Sequence, residues 1–258
     1  MTFKGISIAC SFTTFGLYAV LILSLFYFFR TETLWDALFS ERTLFSIRLS
    51  VVAATISTFL SVLIAVPSAF ALSRYDFAGK KAVDTILELP MIVSPAALGA
   101  MLLIFFNNPL GLWIQDHGVQ FVFTFYGIVL AQFVTVCGVS TRLIKAAMDE
   151  IPVRYEAVAR TLGASPGKAF LTITLPLSRR GIVAASILSW AKALGEFGAT
   201  ITIAGSMAMK TETLPIAIFM RLASAEIEGT VVLILILVSI GLSILYIVRI
   251  LSRGDSYA

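Results

Sequence analysis

Lys192 and Glu196 stand four residues apart inside an otherwise apolar run, Gly181 to Gly205. On a continuous helix that spacing puts both charges on one face, where they can pair. Each charge near the centre of a membrane span costs on the order of 3 kcal/mol. Two readings stay open: the pair neutralises itself in a bundle interior, or it serves a pathway or gate. Gly195 and Gly198 flank Glu196 and Phe197, and would let a helix or a permeating ion approach closely. Thr200 and Thr202 add hydroxyls of a kind an anion can use. A second candidate gate lies in the run Val83 to Phe106, which contains Leu89-Pro90 and Ser94-Pro95. Two prolines inside one span free backbone carbonyls and predict either a plain kink or a break lining a pathway.

Other chemistries find little support. Gly163-Ala164-Ser165-Pro166-Gly167-Lys168 approximates a phosphate loop but has three residues between its glycines instead of four. Ala169 follows the lysine where Ser or Thr must hold magnesium. No Gly-x-Ser-x-Gly nucleophile motif is present. His117 is the sole histidine, and Cys10 and Cys137 lie far apart without metal-ligand spacing. The expectation is a chain that is not an enzyme, binds no cofactor and borrows its engine from a partner.

The elements that must position these residues are membrane helices. The 258 residues are 59% hydrophobic and 13% charged, with a mean hydropathy of +0.96. A soluble domain carries about twice that charge fraction. The apolar runs are long and do not alternate, so the class is an all-α integral membrane protein rather than a barrel. Six spans are predicted, over 12–29, 44–72, 83–106, 121–139, 181–205 and 230–251, in one transmembrane domain. The first is read as an uncleaved span, because no cleavage pattern follows it. The net charge of +4 is spread along the chain and is no nucleic-acid signature. With the N-terminus inside, thirteen of the nineteen basic residues fall in inner segments and four in outer ones. That bias predicts a multi-pass protein with both termini and the segment 140–180 in the cytoplasm.

The segment 140–180 is a polar island. Tyr155, Val158, Ala159 and Leu162 recur at i, i+3, i+4 and i+7, one apolar stripe of a short helix. Asp149 and Glu150 lie ahead of it, and Pro152 sits where a first helical position tolerates proline. Gly163 suits a C-terminal cap, and Ser165-Pro166 suits a fresh N-cap followed by proline. The outcome is a short amphipathic helix outside the bilayer, with its stripe free to dock.

On these residues the chain resembles the membrane subunits of ATP-driven, binding-protein-dependent importers. Their cytoplasmic loop reads Glu-Ala-Ala, three residues, Gly, nine residues, then Ile-x-Leu-Pro. Here Val158 and Ala159 fill the alanine slots, Gly163 the glycine, and Ile173-Thr174-Leu175-Pro176 the close. Ala157 occupies the glutamate slot, and the carboxylate comes one residue early, at Glu156. One residue turns a side chain by roughly 100°. The resemblance implies that Glu156 to Pro166, with Arg160, Thr161, Leu162 and Ala164 among them, couples the chain to an ATPase. Trp190 to Ala199, Ile203-Ala204-Gly205 and Thr211-Glu212-Thr213-Leu214-Pro215 are similar to the molybdate/tungstate permease subunits. Sulfate/thiosulfate permeases share much of the Gly-Glu-Phe-Gly portion. Pro90 and Pro95 also fit the group, whereas Ser94 stands where it commonly has a second proline. The implied assembly is a homodimer in the cell membrane with two ATPase subunits, which hold ATP and magnesium, and an external oxyanion-binding protein. An ion-coupled secondary transporter is the alternative class; the absence of an inverted repeat counts against it.

Overall fold

The computed structural model describes residues 3–253. Its elements are helices: α1 (Phe3–Leu25, prolonged by a 3-10 turn Phe26–Phe28), α2 (Thr31–Phe39), α3 (Glu41–Arg74), α4 (Lys80–Ile86), α5 (Leu89–Ile92), α6 (Pro95–Phe106), α7 (Pro109–His117), α8 (Phe125–Asp149), α9 (Arg154–Thr161), α10 (Pro166–Ala169), α11 (Leu175–Leu194), α12 (Gly198–Ala204), α13 (Leu214–Ala223) and α14 (Ile227–Arg253). A π-helical turn, Phe170–Thr174, joins α10 to α11. No strand occurs among the described residues.

Among the described residues, five helical stretches are long and apolar enough to cross a bilayer: Phe3–Phe28, Glu41–Arg74, Phe125–Asp149, Pro166–Leu194 and Ile227–Tyr246. The pair Lys80–Ile92 and Pro95–Phe106 makes a sixth only if counted as one broken span, because it bends by 113°. The proline-rich run is thus a break and not a kink. Ser94 is extended, and Pro95 opens a new helix as its first residue.

The core is the crossing of α3 and α8. Every fourth residue of α3 from Ala53 to Ala69 is small and buried: Ala53, Ser57, Ser61, Ala65 and Ala69. In lipid, where apolar surface alone does not drive helices together, such a row lets backbones approach and lets hydroxyls bridge them. The Ser57 hydroxyl donates to the Val129 carbonyl of α8 at 3.0 Å. Towards one end Leu49 and Ala53 pack with Ile128 and Ala131; towards the other, Ala65 and Ala69 pack with Ile144 and Met148. Ser40 fixes the start of α3 by accepting a hydrogen bond from the Thr43 N–H.

Several span boundaries differ from expectation, beginning with the first, which starts at Phe3 and not at position 12. The fourth helix does not stop at Val139 but runs ten residues further, to Asp149. Arg142 and Lys145 look like loop residues in the sequence. They lie on the polar side of a helix whose other side buries Ile144 and Met148. The fifth stretch starts at Pro166, fifteen residues before the predicted Gly181, and ends at Leu194. The non-helical part of the polar island is correspondingly short. The predicted outer loop 206–229 contains α13, and Thr211 to Ala217 are all buried. By contrast, α1 buries none of its residues.

Candidate functional site

Two regions answer to the sequence candidates. The first is α9 and its supports. Glu156 is buried, and its Oε1 accepts from Arg74 Nε at 2.7 Å and from the Thr174 hydroxyl at 2.6 Å. Arg74 closes α3, and Thr174 lies in the π turn before α11. Arg74 Nη2 also donates to the carbonyls of Met148 at 2.9 Å and Ile151 at 2.8 Å, at the end of α8. Its Nη1 meets the Ser73 hydroxyl at 3.0 Å. Ser73 in turn bonds Asp149, which pairs with Lys145 at 2.9 Å. One guanidinium therefore ties together α3, α8, α9 and the entry to α11.

The one-residue offset of the carboxylate now has a structural meaning. At position 156 it turns inward to Arg74, while Ala157 is exposed in its place. The stripe faces the other way: Tyr155, Val158 and Leu162 are exposed, and Ala159 is half-buried. Arg160, Thr161, Ser165 and Pro166 are exposed around it, with Ala164 half-buried. Two details of the entry differ from expectation. The helix starts at Arg154, two residues after Pro152, and Asp149 closes α8 instead of leading α9.

The exit is a Schellman turn. The Ala164 N–H reaches the Ala159 carbonyl and the Gly163 N–H reaches Arg160, both at 3.0 Å, with Gly163 at φ +88°. Ser165 then accepts from the Lys168 N–H and Pro166 opens α10. A Cβ on Gly163 would meet nothing within 4 Å, so only its left-handed backbone resists substitution. A side chain there costs roughly 1–2 kcal/mol. Gly163→Val is expected to leave membrane insertion intact and to weaken ATPase association through a misdirected exit from α9. Co-purification at the unmodified level would refute this.

The second region joins the two broken elements. α6 and α12 lie against each other at their N-terminal ends. A Cβ on Gly198 would stand 2.9 Å from the Ala96 nitrogen and 3.2 Å from Pro95 Cβ. One on Gly99 would stand 2.7 Å from the Ala199 carbonyl oxygen. Ser94 caps α6 by accepting from the Ala97 N–H at 3.3 Å. Pro90 lies in α5, with its Cδ near the Cβ position of Gly138. Phe197 packs its ring on Phe219 of α13 at 4.9 Å. Thr200 is fully buried, and its hydroxyl has no hydrogen-bond partner among the described residues.

Lys192 and Glu196 make no direct ion pair among the described residues. The helix ends at Leu194, so the two are no longer successive on one helical face. Lys192 is exposed. Glu196 is buried and instead accepts from the Ala199 N–H at 3.0 Å, holding the start of α12. Gly195 is exposed and has no close packing partner, so the predicted tight approach belongs to Gly198 and not to Gly195. Glutamine keeps an acceptor at position 196 and alanine does not. Glu196→Ala is expected to cost about 1 kcal/mol of stability and Glu196→Gln far less, read by thermal unfolding. An equal loss of uptake in both variants, with stability kept in the Gln variant, would assign the role to the charge itself.

Several residues escaped the sequence reading. Arg74 lies just beyond the predicted second span, and Thr174 is the variable position of the Ile-x-Leu-Pro close, so neither pattern marks them. Glu212 looked like an outer-loop residue. It is fully buried and forms a bidentate pair with Arg42 at 2.6 and 2.7 Å, while the neighbouring Leu214 N–H donates to Ser50 at 2.7 Å. The only hint was that Thr211 to Pro215 forms a compact motif beside an apolar segment.

Among the described residues the chain is helical, with several spans, a broken pair at α4–α6, a break between α11 and α12, and a separately braced amphipathic helix, α9. The chain belongs to the family described as binding-protein-dependent transport system inner membrane components, whose model matches residues 58–254. It is 37% identical over 177 residues to the molybdenum transport system permease protein ModB of Haemophilus influenzae, covering 67% of this chain and 77% of that protein. It is 28% identical over 214 residues to the sulfate transport system permease protein CysT of Escherichia coli, covering 82% and 77%. Its fold matches a chain of a bacterial ABC transporter involved in the import of the acidic polysaccharide alginate, with TM-score 0.73, 16% identity, and 94% and 96% coverage.

Proposed function

We propose that this chain is the permease subunit of an ATP-driven importer for molybdate or tungstate, working as a homodimer with two ATPase subunits and an external oxyanion-binding protein. The observation that carries the reading is α9: an exposed apolar stripe braced from behind by the buried Arg74–Glu156 pair. It sits in a chain whose only phosphate-loop approximation lacks the required spacing. The relation to the Haemophilus influenzae molybdenum permease supports the substrate. The basic residues concentrated in inner segments support a cytoplasmic α9 and cytoplasmic termini. One docking helix per chain suits two copies serving two ATPases. An α1 with no buried residue leaves a whole helix for a second copy or lipid to cover.

In this mechanism ATP and magnesium stay on the partner. Closure of the ATPases shifts α9. The Arg74 node carries that movement into α3, α8 and α11, and the broken α6 and α12 segments change the access of the pathway. The binding protein delivers the anion, so the permease needs no tight anion site, and no cluster of intramembrane arginines suggests one. The relation to the sulfate permease favours sulfate as the second reading. Uptake of labelled molybdate in cells lacking only this chain tests both. Uptake should vanish, return on re-expression, and be competed by tungstate far better than by sulfate. Loss of sulfate uptake with molybdate uptake intact would transfer the substrate to the second reading.

A further inference from the structure

α3 is one continuous helix from Glu41 to Arg74, with Pro67 inside it. Arg42 and Arg74 stand at its two ends, which a rise of 1.5 Å per residue sets about 48 Å apart. That exceeds the hydrocarbon thickness of a bilayer, about 30 Å. Each arginine holds a glutamate from a distant part of the chain. At one end the pair is Arg74–Glu156, under α9. At the other, Arg42 Nε donates to Glu212 Oε2 at 2.7 Å and Nη2 to Oε1 at 2.6 Å. The Glu212 side chain is only 1% exposed, while that of Arg42 is 54% exposed.

Glu212 belongs to a tight turn. The Met207 carbonyl accepts from the N–H groups of Lys210 and Glu212 at 3.1 Å and of Thr211 at 2.9 Å. The Thr211 hydroxyl accepts from the Met207 N–H at 3.1 Å. Only Gly205 and Ser206 separate this turn from α12, which ends at Ala204. On its other side α13 follows directly and is tied to α3. The Leu214 N–H donates to the Ser50 hydroxyl at 2.7 Å, and Ile47 packs against the cluster of Leu214, Ala217 and Leu233. α13 also returns to the start of α12, where Phe219 meets the Phe197 ring at 4.9 Å. Both ends of α12 are thus attached to one unit, 207–223, and that unit hangs on α3.

We propose that Arg42 and Glu212 are positioning residues of the transport cycle: their fork passes the displacement of α3 to α13 and the turn before it, and these set α12 against α6. This rests on the importer reading above and adds the far half of its coupling path, because the Arg74 node grips only the end of α3 beside α9. Apolar contact alone would leave α3 free to slide or turn against α13. A bidentate fork fixes both distance and orientation. The turn closed on the Met207 carbonyl leaves little slack to absorb the movement before it reaches α12.

The test uses the full chain, assembled in lipid nanodiscs with the ATPase and the binding protein of the same transport system. Removing one partner alone would strand a buried charge, so both are replaced. Arg42→Met with Glu212→Leu fills the site with apolar groups, an exchange that keeps stability, and removes the fork. The double variant should match the parent in unfolding temperature, ATPase co-purification and basal ATP hydrolysis. Stimulation by molybdate-loaded binding protein should fall about tenfold, a coupling of ordinary size. Arg42→Lys keeps a countercharge for Glu212 without the planar fork. It should lower stimulation by a smaller factor, and it carries the test if the double variant does not assemble. Undiminished stimulation in the double variant, or in Arg42→Lys where that one stands in, would overturn the proposal. So would an equal fall of basal and stimulated hydrolysis, which would reduce the pair to packing. If the unmodified complex shows no stimulation by the loaded binding protein, the importer reading itself falls, and this inference with it.

Discussion

Arg74→Ala is expected to be the most damaging single substitution in the chain, costing about 3–5 kcal/mol of stability. The magnitude follows from what the change leaves behind. The side chains of Arg74 and Glu156 are only 5% and 12% exposed. Without the guanidinium, Glu156 keeps the Thr174 hydroxyl but loses its countercharge in a nearly closed site. The Met148 and Ile151 carbonyls lose a donor at the same moment. Arg74→Lys should fall between, because one ammonium cannot hold a planar fork directed at a carboxylate and two carbonyls. Adding Glu156→Gln to Arg74→Ala should restore part of the loss, a coupling of roughly 0.5–3 kcal/mol for groups in contact. Thermal unfolding of the purified protein reads stability, and substrate-stimulated ATP hydrolysis of the assembled complex reads coupling. An Arg74→Ala protein that unfolds like the parent would remove the node from the account of how α9 is held.

The node also marks where sequence reasoning stops. The stripe on α9 was legible because Tyr155, Val158, Ala159 and Leu162 follow the helical period. The turn after it was legible because only a residue such as Gly163 accepts a left-handed backbone so readily. The membrane class followed from composition together with long apolar runs that do not alternate. Arg74 was not legible, because its meaning comes from a partner 82 residues away. Nothing local separates a cation that ends a span in water from one folded under a neighbouring loop. The direct Lys192–Glu196 ion pair is absent for a related reason. The i,i+4 rule assumes an unbroken helix, and the chain turns at Gly195, so the carboxylate caps the next helix. The fourth and fifth helical stretches extend beyond their apolar runs because Arg142, Lys145 and Lys168 lower the hydropathy of helices that nevertheless continue. Glu212 was hidden because a buried carboxylate in a loop has no periodic signature; its partner, Arg42, lies 170 residues away.

Gly99→Val is the second large expected effect, because α12 has no room to retreat from α6. A Cβ at position 99 would stand 2.7 Å from the Ala199 carbonyl oxygen, 2.8 Å from Ala199 Cα and 2.8 Å from Thr202 Cβ. Two of those three atoms belong to the backbone, so rotating a side chain cannot relieve the clash. The rest of α12 is held in place. Glu196 caps its first turn, the Phe123 N–H bonds the Ile203 carbonyl at 3.0 Å, and Ala199, Ile203 and Ala204 are packed with Ile128 and Ala131. Overpacking a site of this kind costs about 1–3 kcal/mol or more. The displaced element is a broken segment that the importer reading uses to change access. Uptake should therefore fall further than the stability loss alone would bring about. Gly195→Ala is the matched control: the residue is exposed, its φ of −85° suits any side chain, and the nearest atom to an added Cβ is 3.7 Å away in its own helix. It should stay within about 0.5 kcal/mol of the parent, with uptake preserved. Thermal unfolding alongside labelled-anion uptake separates the two positions. If Gly195→Ala blocks uptake at full stability, the anion passes close to that backbone, and the α6–α12 contact is packing only.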